Sequence, residues 1–314
     1  MNIVMLDADT LGANSLAPIA ALGEFHSHAL TSTRDVVARC ADAEVVITNK
    51  VQLGAEQLKA LPKLKLICVA ATGTNNIDIA AAKEQGIVVC NVAGYSTASV
   101  VQHTFTLISL LLNNLHRYID DCRRGAWQQS EMFCRLDYDI AELAGKKIAI
   151  IGHGELGQAV ARVANAFDMH VLIAERRGHA PRPGRIAFEE ALAQADIVSI
   201  HCPLNSETEQ LINRDTLALM QPSAVLVNTA RGAIINEADL AAALADGTLG
   251  GAALDVLSEE PANPANPLVR YQGDNLLLTP HIAWASAQAR DRLIHQLALN
   301  IRAFANGEVR NRVG

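Results

Sequence analysis

The chain has 314 residues, half of them hydrophobic and only 4% aromatic, with 26 Lys and Arg against 33 Asp and Glu for a net charge of −7. That length predicts two domains with a sizeable core, and a composition rich in aliphatics but poor in aromatics suits parallel sheets covered by helices. Mixed charge without a basic block argues against nucleic-acid binding.

Six cysteines stand at positions 40, 68, 90, 122, 134 and 202, with no CxxC pair and no metal-ligand spacing. They are expected to be buried, reduced thiols in a reducing, cytoplasmic compartment, and no metal is expected. The opening MNIVMLDAD lacks the basic region and long apolar core of a signal peptide. The most apolar run, residues 100–112, is interrupted by Gln102, His103, Thr104, Thr106 and Ser109. It is too short to span a bilayer, so no membrane partner is expected.

Residues 1–95 alternate strand runs (3–6, 44–48, 64–70 and 87–90) with helical stretches (16–22, 33–40, 55–61 and 77–85), a doubly wound α/β pattern. Asp7 and Asp9 read as a solvated turn. The turn at 71–76, Ala-Thr-Gly-Thr-Asn-Asn, follows the third run, where ligands sit in such sheets. One long buried helix is predicted from Ser96 or Thr97 to about Arg123, with His103 as a satisfied core residue. An irregular stretch follows to Asp139, and its Trp127, Met132 and Phe133 suit a subunit contact.

Residues 147–177 read KIAIIGHGELGQAVARVANAFDMHVLIAERR. An apolar strand enters a turn with glycines at 152, 154 and 157, a helix with one apolar face follows, and a second strand ends at Glu175. A dinucleotide site requires this order. Gly152 permits a backbone conformation closed to other residues, Gly154 lets a pyrophosphate approach the main chain, and Gly157 lets the helix pack against the strand. The helix N-terminus attracts the phosphates. Glu175, 18 positions after Gly157, is placed to accept hydrogen bonds from the adenosine ribose.

The alternation resumes with strands at 197–201, 225–228, 252–256 and 276–279 and helices at 188–193, 214–220 and 237–245. A last helix, residues 285–306, carries Leu293, Leu297, Ile301 and Phe304 on one face and comes too late to extend the second sheet. Its return to the first domain makes that domain discontinuous. The predicted fold is therefore α/β with two doubly wound parallel-sheet domains: a flavodoxin-like substrate-binding domain, residues 1–96 and 286–314, and a Rossmann dinucleotide-binding domain, residues 97–285, with a hinged cleft between them.

Three polar residues lie at or beyond strand ends in the second domain: Arg231 in NTARG, Glu260 in DVLSEEP and His281 in TPHIAW. Reduction of a 2-keto acid needs a fixed cation for the carboxylate, a proton donor for the developing alkoxide, and a carboxylate to orient that donor. Arg231, His281 and Glu260 supply one of each, although Glu259 fits the last role equally on pattern. Asp255 suits either the nicotinamide carboxamide or the cap of a turn. His153 lies inside the glycine turn without a partner arrangement.

The segments ATGTNNID (71–78), GYSTASVVQHT (94–104), GHGELG (152–157), HCPLNSET (201–208), VNTARGAIINEADL (227–240), LDVLSEEP (254–261) and TPHIAW (279–284) resemble, in order and spacing, the D-isomer-specific 2-hydroxyacid dehydrogenase family. Within it they are most similar to the glycerate dehydrogenase (hydroxypyruvate reductase) branch. The resemblance implies that Arg231 binds the substrate carboxylate, that Glu260, directly before Pro261, pairs with the histidine, and that His281 is the general acid and base. It implies cofactor contacts from Thr72, the Glu155 and Leu156 amides, Glu175, Cys202, Thr229, Ala230 and Asp255, substrate contacts from Thr72 and Gly73, and a homodimer through the arm near 125–140. The expected reaction interconverts a small 2-keto acid and its D-2-hydroxy acid, hydroxypyruvate and D-glycerate first. The alternatives are glyoxylate or another 2-keto acid, or a non-catalytic dinucleotide-sensing protein. One departure concerns the cofactor: the family's ribose-binding acid is usually Asp, and here Glu175 is followed by Arg176 and Arg177. The carboxylate favours NAD, while the arginines leave NADP open.

Overall fold

Short runs of Val, Ile and Leu form the strands, and the complete burial of the central ones follows from helices on both faces of each sheet. The computed structural model describes residues 1–314. They divide into two units, Met1–Ser96 with Ala285–Gly314, and Thr97–Trp284.

The first unit begins with β1 (Asn2–Met5), α1 (Ala17–Ala20), β2 (Glu24–Ser27), α2 (Val36–Cys40), β3 (Val45–Thr48), α3 (Ala55–Lys59), β4 (Leu66–Val69), α4 (Ile79–Glu84) and β5 (Val88–Cys90). All strand pairs are parallel, in the order β2-β1-β3-β4-β5, a flavodoxin-like winding. Strand β2 has no counterpart among the predicted elements. It lies at the sheet edge with three of its four residues exposed. Backbone pairing of Asn2 with Glu24 through Met5 with Ser27 creates it, not an apolar side-chain pattern.

Asp7 also departs from expectation. It is buried rather than solvated. Its carboxylate accepts from the N–H groups of Asn49 (2.9 Å), Lys50 (2.7 Å) and Val51 (3.4 Å), closing the turn after β3. Burying this charge is tolerable because several donors face it. Asp9 is exposed.

The second unit contains α5 (Thr97–Leu112), α6 (Leu115–Arg123), β6 (Lys147–Ile151), α7 (Glu155–Ala166), β7 (His170–Ala174), α8 (Phe188–Gln194), β8 (Ile197–Ile200), α9 (Arg214–Leu217), β9 (Val225–Asn228), α10 (Glu237–Ala245), β10 (Gly251–Leu254), α11 (Pro267–Arg270) and β11 (Leu276–Leu278). The parallel sheet runs β11-β10-β9-β8-β6-β7, and a bridge from Ala174 to Ile186 continues it beyond β7. The winding reverses between β6 and β8, and in open α/β sheets a ligand crevice lies outside the carboxyl ends of strands at such a point. The single helix predicted from Thr97 to Arg123 is two helices, because Asn114 adopts φ 48 in the left-handed region. Asn enters that region more readily than most side chains, so the break carries little strain.

The C-terminal helix α12 (Ala287–Ala305) belongs to the first unit and packs on α1 and β4. Leu293, Leu297 and Ile301 are fully buried along it. Arg290 Nη1 donates to Leu11 O at 2.9 Å and Arg292 Nε to Tyr95 O at 2.8 Å, so both charged residues tie the helix to the N-terminal segment. No helix of the chain is long and apolar enough to cross a membrane.

Candidate active site

The glycine turn after β6 is shaped by contacts that differ at each position. Gly152 has φ +93, and a Cβ there would lie 2.5 Å from Cys202 N. The turns after the neighbouring strands β6 and β8 therefore touch through backbone. A Cβ on Gly157 would lie 2.0 Å from Gly152 O, so α7 starts directly against the turn. At Gly154 a Cβ would meet no atom within 4 Å. Gly154 caps α7 without a side chain, which leaves the Glu155 and Leu156 N–H groups uncapped beneath open space. That arrangement suits a pyrophosphate.

A pocket of about 360 Å³ opens there, walled by Gly152, His153 and Gly154 on one side, Glu175 and Arg176 on another, and His201 and Cys202 on a third. His201 Nε2 bonds Ser199 Oγ at 2.8 Å, while its buried Nδ1 has no partner in the chain. Burial pushes the His201 pKa down to about 4 and the Cys202 thiol up to about 11. At neutral pH the wall is thus a neutral imidazole beside a protonated thiol.

Glu175 sits where the sequence places it, at the end of β7, but it is already engaged. Arg182 donates through Nη2 to Oε1 and through Nε to Oε2, both at 2.6 Å, and the Arg176 N–H donates to Oε1 at 2.9 Å. Arg185 Nη1 lies 3.7 Å away. The Arg182 bonds first, and the Arg176 amide second, hold the Glu175 carboxyl well below the usual carboxylate range. Arg176 and Arg177 stood out in the sequence, whereas Arg182 and Arg185 were missed there. Their only signal was the density of arginines in residues 176–185, which does not say which one turns back.

Arg231 follows β9 in extended conformation. Its Nη1 donates to Ala230 O at 2.6 Å, and Asn228 Nδ2 donates to Arg231 O at 2.8 Å. The next residue, Gly232, packs against the turn after β10, where a Cβ would fall 1.9 Å from the Leu257 carbonyl carbon. That same turn carries Glu260, whose Oε1 accepts from Leu257 N at 3.1 Å. Glu260 Oε2 lies 2.6 Å from His281 Nδ1. The carboxylate only accepts, so Nδ1 carries the proton in this bond and Nε2 is left for exchange.

His281 has φ 54, and its N–H donates to Asp255 O at 2.8 Å. Asp255, almost fully buried, accepts from Thr279 Oγ1 (2.6 Å), Ile282 N (2.9 Å) and Ala283 N (2.8 Å). His103 Nε2 reaches Thr279 Oγ1 at 3.0 Å and Asp255 Oδ1 at 3.5 Å, which gives this helix histidine its partners. Burial alone would raise the Asp255 pKa, but bonds from His103, Thr279 and the Ala283 and Ile282 amides outweigh it and leave the group below its ordinary value. Of the two uses open for Asp255, the turn cap is the one with partners in the chain.

Thr229 is buried, with Oγ1 3.2 Å from Thr104 Oγ1, and the Ala230 N–H donates to Asn228 Oδ1 at 2.9 Å. Thr72 and Gly73 belong to the first unit, in the turn after β4. There Thr72 Oγ1 donates to Val92 O at 3.0 Å, and Thr72 O accepts from Asn91 Nδ2 at 2.7 Å.

A dinucleotide turn at a sheet switch point, with a histidine–carboxylate pair beyond two adjacent strands of the same sheet, defines the class as a nicotinamide-dependent oxidoreductase. Comparison with known proteins gives the family. Residues 105–283 match the family model described as D-isomer specific 2-hydroxyacid dehydrogenase, NAD binding domain. The chain is 41% identical to a glycerate dehydrogenase of Methylorubrum extorquens, with 98% of each chain covered. It is 35% identical to a hydroxypyruvate reductase of Blautia hydrogenotrophica, again over 98% of each. A solved structure of a Thermus thermophilus protein, 30% identical, matches over 100% of both chains with a TM-score of 0.88. The chain belongs to the D-isomer-specific 2-hydroxyacid dehydrogenase family and is an NAD-dependent oxidoreductase.

Proposed function

We propose that the chain interconverts hydroxypyruvate and D-glycerate in preference to other 2-keto and 2-hydroxy acids. The observation that carries the chemistry is the 2.6 Å bond between His281 Nδ1 and Glu260 Oε2. The names of the two relatives, a glycerate dehydrogenase and a hydroxypyruvate reductase, support the substrate.

Bound NAD(H) supplies the hydride donor or acceptor. Arg231 holds the substrate carboxylate through its planar fork and polarises the neighbouring ketone. As that oxygen gains charge, His281 Nε2 gives it a proton, and Glu260 stays ionised to orient the ring and offset the charge on it. In the reverse direction the neutral ring takes the hydroxyl proton. Asp255 fixes the turn that carries His281. Gly152, Gly154, Gly157 and the Glu155 and Leu156 amides receive the pyrophosphate. Glu175 and Arg176 belong to the adenosine end, with Cys202, Thr229 and Ala230 along the remaining cofactor wall. Thr72 and the Gly73 backbone are assigned to the substrate carboxylate on family resemblance alone.

Steady-state rates with NADH and hydroxypyruvate, glyoxylate and pyruvate test the reading. Hydroxypyruvate should have the highest kcat/KM by at least roughly tenfold, a margin that one well-matched hydroxyl contact provides. An equal or higher value for glyoxylate or pyruvate removes the substrate assignment.

The protein is further proposed to be a homodimer. The arm after α6 is pinned by Arg135 and Tyr138 to Asp121 (3.3 and 3.0 Å), and Arg117 lies 3.7 Å from the Tyr138 ring centre. It nevertheless presents Trp127, Met132, Phe133 and Leu136 to solvent, with Phe133 91% exposed. An ordered segment with exposed apolar side chains fits a second copy of the chain. Sedimentation should return twice the 33.5 kDa chain mass, and a monomer at micromolar concentration contradicts the assignment. All six cysteines are free, which supports a cytoplasmic setting; Cys40, Cys68 and Cys90 are buried as expected, but Cys134 and Cys202 are half-buried and Cys122, on the outer face of α6, is exposed.

A further inference from the structure

Glu237 opens α10, six residues after Arg231. An acid in the first turn of a helix is favoured by the positive end of the dipole. That preference does not explain where this side chain goes. All three of its hydrogen bonds leave the helix for the loop after β10. Oε1 accepts from Ser258 N, and Oε2 accepts from Ser258 Oγ and Asn266 Nδ2, each at 2.7 Å. Asn266 is buried, and its own Oδ1 accepts from Leu268 N at 2.9 Å to cap α11. With the oxygen used there, the Asn266 amide group is left to face Glu237.

Glu260 lies between these two anchors. Residues 258–265 are all exposed, so burial of apolar side chains does not fix the loop. Two of its bonds, Ala265 N to Asn263 Oδ1 at 2.9 Å and Asn263 Nδ2 to Glu259 Oε2 at 3.2 Å, shape it from within without attaching it to the domain. Arg270 Nε adds one bond from α11, to Pro264 O at 3.2 Å. The short contacts that hold both ends converge on the Glu237 carboxylate, whose charge strengthens each bond it accepts. The segment that carries Arg231 is thereby joined to the loop that carries Glu260, and the 2.6 Å bond from Glu260 to His281 needs that loop in register.

We propose that Glu237 is a positioning residue for the reaction: its carboxylate clamps the two ends of the 258–266 loop and so holds Glu260 against His281. The inference rests on the reading of Glu260 and His281 as the proton-transfer pair.

Glu237→Ala and Glu260→Gln, singly and together, test it in the full-length protein with NADH and hydroxypyruvate, alongside amide hydrogen exchange. Exchange at Ser258 should quicken by about tenfold or more in Glu237→Ala, because that N–H loses its acceptor. The kcat should fall by about tenfold through misplacement of Glu260, while the NADH dissociation constant stays within about twofold. Glu237→Gln keeps one acceptor oxygen, so its kcat should lie between wild type and Glu237→Ala, and it replaces Glu237→Ala in the double variant if the latter does not fold. In the Glu260→Gln background, loss of Glu237 should lower kcat by less than about twofold further, because its target is already gone. A general loss of structure would not show this dependence on background. Unchanged exchange at Ser258, a freed loop with wild-type kcat, or an equal loss of kcat in both backgrounds overturns the positioning role. Wild-type kcat in Glu260→Gln alone overturns the underlying reading of the pair instead.

Discussion

Gly232 and Leu257 touch through backbone, so closely that a Cβ on Gly232 would come within 1.9 Å of the Leu257 carbonyl carbon. This contact joins the turn that carries Arg231 to the turn that carries Glu260. Gly232→Ala must push one of them aside. The expected result is a loss of at least about tenfold in kcat and about 1–3 kcal/mol of stability. Steady-state kinetics and urea unfolding check it; wild-type values in both mean that the contact does not position the site.

His281→Ala removes the proposed proton donor and leaves the glycine turn untouched. Turnover should fall by roughly 10²–10⁴, the usual range for a positioned general acid, with NADH affinity nearly unchanged. Glu260→Gln keeps the shape but not the charge that orients His281 Nδ1, so its kcat should fall between the wild type and His281→Ala. Turnover of His281→Ala within a few-fold of wild type at neutral pH contradicts the mechanism.

The glycines separate folding from binding. Gly157→Ala places a methyl 2.0 Å from Gly152 O, so the helix must shift. A stability loss of about 1–3 kcal/mol is expected, seen as a lower Tm. Gly154→Ala meets no protein atom within 4 Å. Its Tm should hold while NADH binding weakens, because the methyl enters the space above the Glu155 and Leu156 amides. Equal Tm losses in the two variants contradict this division.

His201 makes stability depend on pH. Its folded pKa of about 4 lies below the ordinary histidine value of 6.5. Between these values the unfolded chain takes up a proton that the folded chain refuses, so stability falls as pH drops below 6.5 and the loss levels off near 4. At pH 5 the contribution is on the order of 2 kcal/mol. Urea midpoints at pH 7 and pH 5 should differ more in the wild type than in His201→Asn. An equal pH effect in the two proteins assigns the change to other groups.

Much of this was legible in the order of residues along the chain. Apolar runs located ten of the eleven strands, because strands buried on both faces need continuous Val, Ile and Leu. The glycines at 152, 154 and 157 announced the turn, because each meets a backbone requirement that other residues fail. Arg231, Glu260 and His281 were singled out because each follows a strand, and the structure bonds His281 to Glu260. Elements without a side-chain signature were not found: the exposed edge strand β2, the four-residue helix α11 after the Pro/Asn loop, and the helix break at Asn114, where apolar periodicity runs through without a mark.

The sequence by itself determined which segments pack and which residue types stand at strand ends, because burial and turn geometry act over a few neighbouring residues. Only the tertiary structure decided the partners of the buried charges. Asp7 takes backbone donors more than forty residues away, Asp255 takes the turn that holds His281, and Glu175 takes Arg182 seven positions further along the chain. A charged group removed from water must find donors wherever the fold brings them. Chain order alone does not record that choice.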